Sequence, residues 1–304
     1  MGGRCTIPRD AAPCARVRGS SDEEGDEDVL PVVSHEVRTG RWPYATVCVI
    51  GLNVLVLAFA ASLGPRFVPF LQQWGLVPAR VAAEVTLHNV ATVLTSTVLH
   101  VGVVHLVFNM WFLFVFGDAL EDALGPWWFL FLYLVSGFFG SMLYVATSGD
   151  SPIPAVGASG AVSGIMAASL VLWPRARLRV PGLLLLLFVA SLVVTMLVAF
   201  GVTGWMPLAA VAAAVTALFV VLLRREAGGL WSGLVGGLRV PAWLALGLYI
   251  GLQLYSGVLV LVSPAYGASV GYWAHVGGFA AGAALAWLFP SRPRPLPGAA
   301  PGEA

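Results

Sequence analysis

Lysine is missing altogether from this 304-residue chain, whose sixteen basic residues are all arginine. Charge of either sign is scarce, at 10% of residues, where soluble domains carry about 25%. That shortfall excludes an ordinary water-facing surface, because too few ionised groups are present to cover one. The net charge of +1 gives no ground for a nucleic-acid partner, and none is expected. Cysteine is sparse too. Cys5, Cys14 and Cys48 form no CxxC pair and no disulfide framework. Cys5 and Cys14 have no further ligands nearby, so neither a metal nor another cofactor is expected. Residues 1–41 hold no long apolar run and carry Asp22, Glu23, Glu24, Asp26, Glu27 and Asp28. A secretory leader is therefore not expected, and this stretch reads as a solvated acidic tail. The proline-rich end, 290–304, reads the same way.

What the chain does have is apolar residues, 59% of the total, with a mean hydropathy of +0.87. The lipid bilayer is the solvent such a composition suits, and about 20 apolar residues cross it as a helix. Eight stretches fit or nearly fit: 45–63, 101–117, 127–147, 158–174, 182–200, 206–223, 241–262 and 271–289. The fold class predicted is all-α, a polytopic membrane helix bundle over residues 42–289. Arginines orient it. With the N-terminus cytoplasmic, Arg175, Arg177, Arg179, Arg224, Arg225 and Arg239 lie in inner loops, and Arg66 and Arg80 alone lie outside. Cationic loops stay on the cytoplasmic side, so both termini are expected there. The 118–126 segment, read as an inner loop, runs against this trend with three acids and no arginine. The outer stretch 64–100 is long and mixed, and reads either as an interfacial segment or as an ordinary loop. Arginine without lysine, alongside abundant Ala, Gly and Val, fits a bacterial coding bias, so a bacterial inner membrane is the expected location.

Polar side chains inside apolar spans are costly and so draw attention. His105 and Asn109 are four apart, on one helix face. They could bond a reacting group or simply join helices. Ser159 lies in Gly157-Ala158-Ser159-Gly160, and small residues continue at 160, 164 and 168. That stripe suits close helix packing whether or not the serine reacts. His275 precedes Gly278 and Gly282, a GxxxG pair on its own helix. Alone it reads as an interior histidine with a satisfied hydrogen bond. Together the four differ. Each falls in the outer half of its span, and an odd number of spans separates serine from histidine. One site assembled from three helices is therefore possible.

These residues resemble the rhomboid family of intramembrane serine proteases. The resemblance is carried by His100, His105-x-x-x-Asn109, Gly117-Asp118-x-x-Glu121-Asp122-x-x-Gly125, the 157–160 GASG, and His275-x-x-Gly278-x-x-x-Gly282. It implies a six-helix core, with 182–223 as an inserted two-helix hairpin, and hydrolysis of transmembrane protein substrates. It also implies that Ser159 is the nucleophile and His275 its general base. Asn109 and His105 would be oxyanion-hole side chains and Gly157 would leave room for the hole. Gly160, Gly278, Gly282, His100 and Glu121 would be supporting residues, Glu121 as a polar anchor. Some members carry an aromatic residue four after the serine, stacked on the histidine; here that position is Ser163. A catalytically inactive, client-binding relative and a small-solute transporter are the competing readings.

Overall fold

A computed structural model describes residues 34–35, 42–180, 238–262 and 271–288, all within the unit Pro31–Ala304. The helices are α1 (Tyr44–Ser62), α2 (Phe67–Trp74), α3 (Pro78–Ala83), α4 (Leu87–Thr95), α5 (Val103–Leu124), α6 (Pro126–Thr147), α7 (Ser159–Leu172), α8 (Ala242–Val262) and α9 (Tyr272–Leu288). Of these, α1, α5, α6 and α8 are long and apolar enough to cross a membrane. Their outer faces carry Leu55, Phe59, Val104, Val107, Phe131 and Leu134 in the open. Water would not tolerate such a surface, and lipid requires one. The chain is an all-α polytopic membrane bundle. The hairpin read at 182–223 and most of both tails lie outside the described residues.

Two expectations need correction. Residues 118–124, read as part of an inner loop, continue α5, and Gly125 alone links α5 to α6. Gly125 takes φ 83°, and Pro126 opens α6. Glycine tolerates that left-handed turn, and proline suits a first helical position where no N–H bond is needed. The acids are accommodated because Glu121 has a partner. Its carboxylate accepts from the Ala45 N–H at 2.9 Å, the Thr46 N–H at 2.7 Å and the Thr46 hydroxyl at 2.8 Å. The residue before α1 is Pro43, which offers no side-chain cap. Glu121 therefore satisfies the unbonded first-turn donors of α1 from another helix, where negative charge is also favoured.

The second correction concerns 1–41. Within it, Ser34–His35 forms β1, paired antiparallel with β2 (Arg177–Val180), which pairs in turn with β3 (Leu238–Pro241). The chain leaves this ribbon at Val180 and returns opposite it at Leu238. The ribbon joins the C-terminal end of α7 to the N-terminal end of α8, and the Ala242 N–H bonds the Ala176 carbonyl at 2.8 Å.

Among the described residues, the most extensive helix contacts are those of α9 with α7 and with α6, and the sequence explains them. A Cβ on Gly278 would overlap the Gly160 carbonyl, and one on Gly282 the Gly164 carbonyl. One on Gly140 would lie 2.5 Å from the Ala274 carbonyl oxygen. Backbone meets backbone, so the helices approach as closely as helices can. In lipid, where burying apolar surface drives little association, such contact is what holds helices together.

Candidate active site

Ser159 is the first residue of α7. The segment before it is irregular, and irregular backbone inside a membrane protein needs internal partners. It has them. Leu76 and Ala155 exchange backbone bonds of 3.0 and 2.8 Å, and the Gly157 N–H bonds the Ser96 carbonyl at 2.9 Å. Gly157 has φ 134°, a conformation that side chains disfavour, and a Cβ there would lie 2.7 Å from His105 Cε1. Its lack of a side chain lets the His105 ring lie over the turn that presents Ser159.

The glycine contacts set the next step. Gly160 follows Ser159, and its counterpart Gly278 is one turn beyond His275. Docking these glycines brings the two side chains together: Ser159 Oγ stands 2.7 Å from His275 Nε2. His105 and Asn109, near the start of α5, line the same cavity as this pair. Asn109 is buried and its amide donates to the His105 carbonyl at 2.9 Å. The first intrahelical bond of α7 runs from the Val162 N–H to the Ala158 carbonyl at 2.9 Å. The Ser159 N–H precedes it, among the helix donors that have no intrahelical acceptor. His100 is fully buried and meets His105 edge-on, with ring centroids 5.0 Å apart. Burial, and secondarily the neighbouring His105 ring, push the His100 imidazole down to about 4, so this ring stays neutral. The cavity holds about 1120 Å³ and is walled largely by apolar side chains from α5, α7 and α8, among them Trp111, Met166 and Leu244.

Sequence reasoning missed two residues, both on α8. Gln253 Oε1 lies 2.8 Å from His275 Nδ1. The Tyr249 hydroxyl lies 2.7 Å from Ser163 Oγ, and the Tyr249 ring is 6.3 Å from that of His275, centroid to centroid. A signal was available, since Gln253 is an uncharged polar residue in the middle of an apolar span. The rule that selected His105 and His275 applies to it equally. Glu121 lies on α5 as the cap of α1, so its partners are structural ones.

A polytopic helix bundle with a serine hydroxyl bonded to an imidazole, beside a cavity, defines a class of membrane protein. The sequence model of the Rhomboid domain matches residues 87–227. "Rhomboid protease GluP" of Bacillus subtilis is 44% identical over 77 residues, 25% of this chain and 15% of the relative. "RHOMBOID-like protein 12, mitochondrial" of Arabidopsis thaliana is 36% identical over 119 residues, 32% of this chain and 35% of the relative. "Presenilin-associated rhomboid-like protein A, mitochondrial" of Danio rerio is 32% identical over 111 residues, 36% of this chain and 29% of the relative. These matches span about a third or less of each relative's length. Residues 87–227 carry a rhomboid domain. The chain is an integral, multi-pass membrane protein.

Proposed function

We propose that this protein is an intramembrane serine endopeptidase that cuts transmembrane segments of other proteins with a Ser159–His275 dyad. The observation that carries the reading is the 2.7 Å hydrogen bond between Ser159 Oγ and His275 Nε2. Serine is a weak nucleophile at its own pKa and needs an adjacent base. In the proposed sequence His275 Nε2 takes the hydroxyl proton as Oγ bonds to the substrate carbonyl carbon. The tetrahedral oxyanion accepts from the Ser159 N–H and from the Asn109 and His105 side chains. Protonated His275 then gives its proton to the leaving amine as the C–N bond breaks. Water repeats the cycle on the acyl ester and regenerates the hydroxyl. Each oxyanion donor is worth about 3–4 kcal/mol in related chemistry.

The apolar wall of the cavity suits an unwound membrane segment, and glycine or other helix-weak residues in the substrate would ease that unwinding. The protein name of the Bacillus subtilis relative, a rhomboid protease, supports the peptidase class. In the proposed topology both termini are cytoplasmic, the site opens near the outer face, and the membrane is a bacterial inner membrane. The test uses the purified full chain in liposomes with a single-span substrate bearing a Gly-rich outer end. Ser159→Ala and His275→Ala should each lower cleavage by about 10⁴-fold or more. Cleavage by both at the wild-type rate would remove the dyad. Wild-type protein that binds the substrate yet neither cleaves it nor reacts with a fluorophosphonate would be a client-binding scaffold instead.

A further inference from the structure

A base must keep its Nε2 lone pair aimed at the serine proton, and so must carry its own proton on Nδ1. In serine proteases with a triad, a buried carboxylate bonded to Nδ1 enforces this, and in some cysteine proteases an amide does. No carboxylate reaches His275 among the described residues. The group at Nδ1 is Gln253, whose amide oxygen lies 2.8 Å away. An amide oxygen only accepts, so the bond requires Nδ1–H and leaves Nε2 free for Ser159.

The position of Gln253 is built. On α8 only Ala242, Leu246 and Gly257 are buried, and its other residues are half-buried or exposed. Gly257, one turn beyond Gln253, receives the Trp273 ring: a Cβ there would lie 3.0 Å from Trp273 Cε2. Trp273 Nε1–H also donates to the Gly257 carbonyl at 3.2 Å. Trp273 is two residues before His275, so this docking sets the register that brings Gln253 to the imidazole. One turn before Gln253, Tyr249 closes on the same ring. Ser163 spends its proton on the Ser159 carbonyl at 2.7 Å, so the 2.7 Å contact with Tyr249 has the phenol as donor. An aromatic ring thus stands beside His275 although position 163 is a serine, and it comes from a different helix.

We infer that Gln253 and Tyr249 are positioning residues, with Gln253 holding His275 in the base-competent tautomer and Tyr249, pinned by Ser163, limiting ring rotation. This rests on the dyad reading above. The test measures how fast a fluorophosphonate reacts with the full chain in detergent, resolved into a binding constant and a limiting rate. Gln253→Leu, of similar size but without an acceptor, should lower the limiting rate about tenfold or more at unchanged binding constant. Gln253→Glu restores an acceptor at the same place and should recover most of the rate. Ser159→Ala should not react. A wild-type limiting rate for Gln253→Leu overturns the inference, as does an equal loss in the leucine and glutamate variants, which would mean packing alone. Reaction of Ser159→Ala at the wild-type rate would sink the dyad itself, a different result from either.

Discussion

The α7–α9 interface and the α8–α9 interface hold the same histidine in different ways. In the first, glycines meet backbone to backbone: a Cβ on Gly278 or Gly282 would overlap the Gly160 or Gly164 carbonyl, and one on Gly160 would lie 3.2 Å from the Ala274 oxygen. In the second, α8 has only Ala242, Leu246 and Gly257 buried, and it meets α9 through the Trp273 ring docked on Gly257, the Gln253 amide on His275 and the Tyr249 ring beside that imidazole. The tight interface fixes where the two reacting atoms are. The looser one bears on how the imidazole is turned. Separation and orientation thus depend on different helices, and substitutions can address them separately.

The largest expected effect is at the tight interface. Gly278→Val places a branched side chain on the Gly160 carbonyl, where only backbone could yield. Overpacking of this kind costs about 3 kcal/mol or more. Thermal unfolding in detergent, followed by tryptophan fluorescence, should show a strong drop, together with loss of cleavage. A melting point within about 2 °C of wild type would mean that these helices are not locked by their glycines. A smaller effect is expected at the looser interface. Gly257→Ala pushes Trp273 by a few tenths of an ångström and should leave the fold intact. A 1 Å misplacement costs about a hundredfold in rate, so a several-fold fall in kcat at constant KM is expected. A change confined to KM would detach α8 from ring orientation. The smallest effect is on the outer face of α8. Val258 is exposed, and Val258→Ala should shift stability by less than about 0.5 kcal/mol and leave cleavage unchanged. A large loss there would reveal a contact surface where the comparison assumes lipid.

Much of the bundle was legible because its signals are local. Apolar length marked α1, α6, α8 and α9 to within about two residues. The pairing of serine with histidine was legible through the small-residue stripes, a property of spacing. The end of α5 was not. Asp118, Glu121 and Asp122 read as loop residues, and only the presence of α1's unbonded N–H groups beside Glu121 makes a carboxylate welcome in a helix. The β1–β2 pairing was not legible either, since two residues carry no strand signal and the pairing joins positions more than 140 apart in sequence.

By itself the sequence determined that lipid surrounds this chain, where the apolar helices α1, α6 and α8 run, and which small-residue stripes are able to meet. Those follow from composition and periodicity, which need no partner to be read. The tertiary structure alone decided what faces His275 on its far side. That depends on the rotation and register of α8, set by Trp273 on Gly257. A hydrogen bond reaches about 3 Å, while neighbouring positions on a helix differ by about 100° in direction. Gln253 meets the imidazole in one register of α8 and misses it in the next.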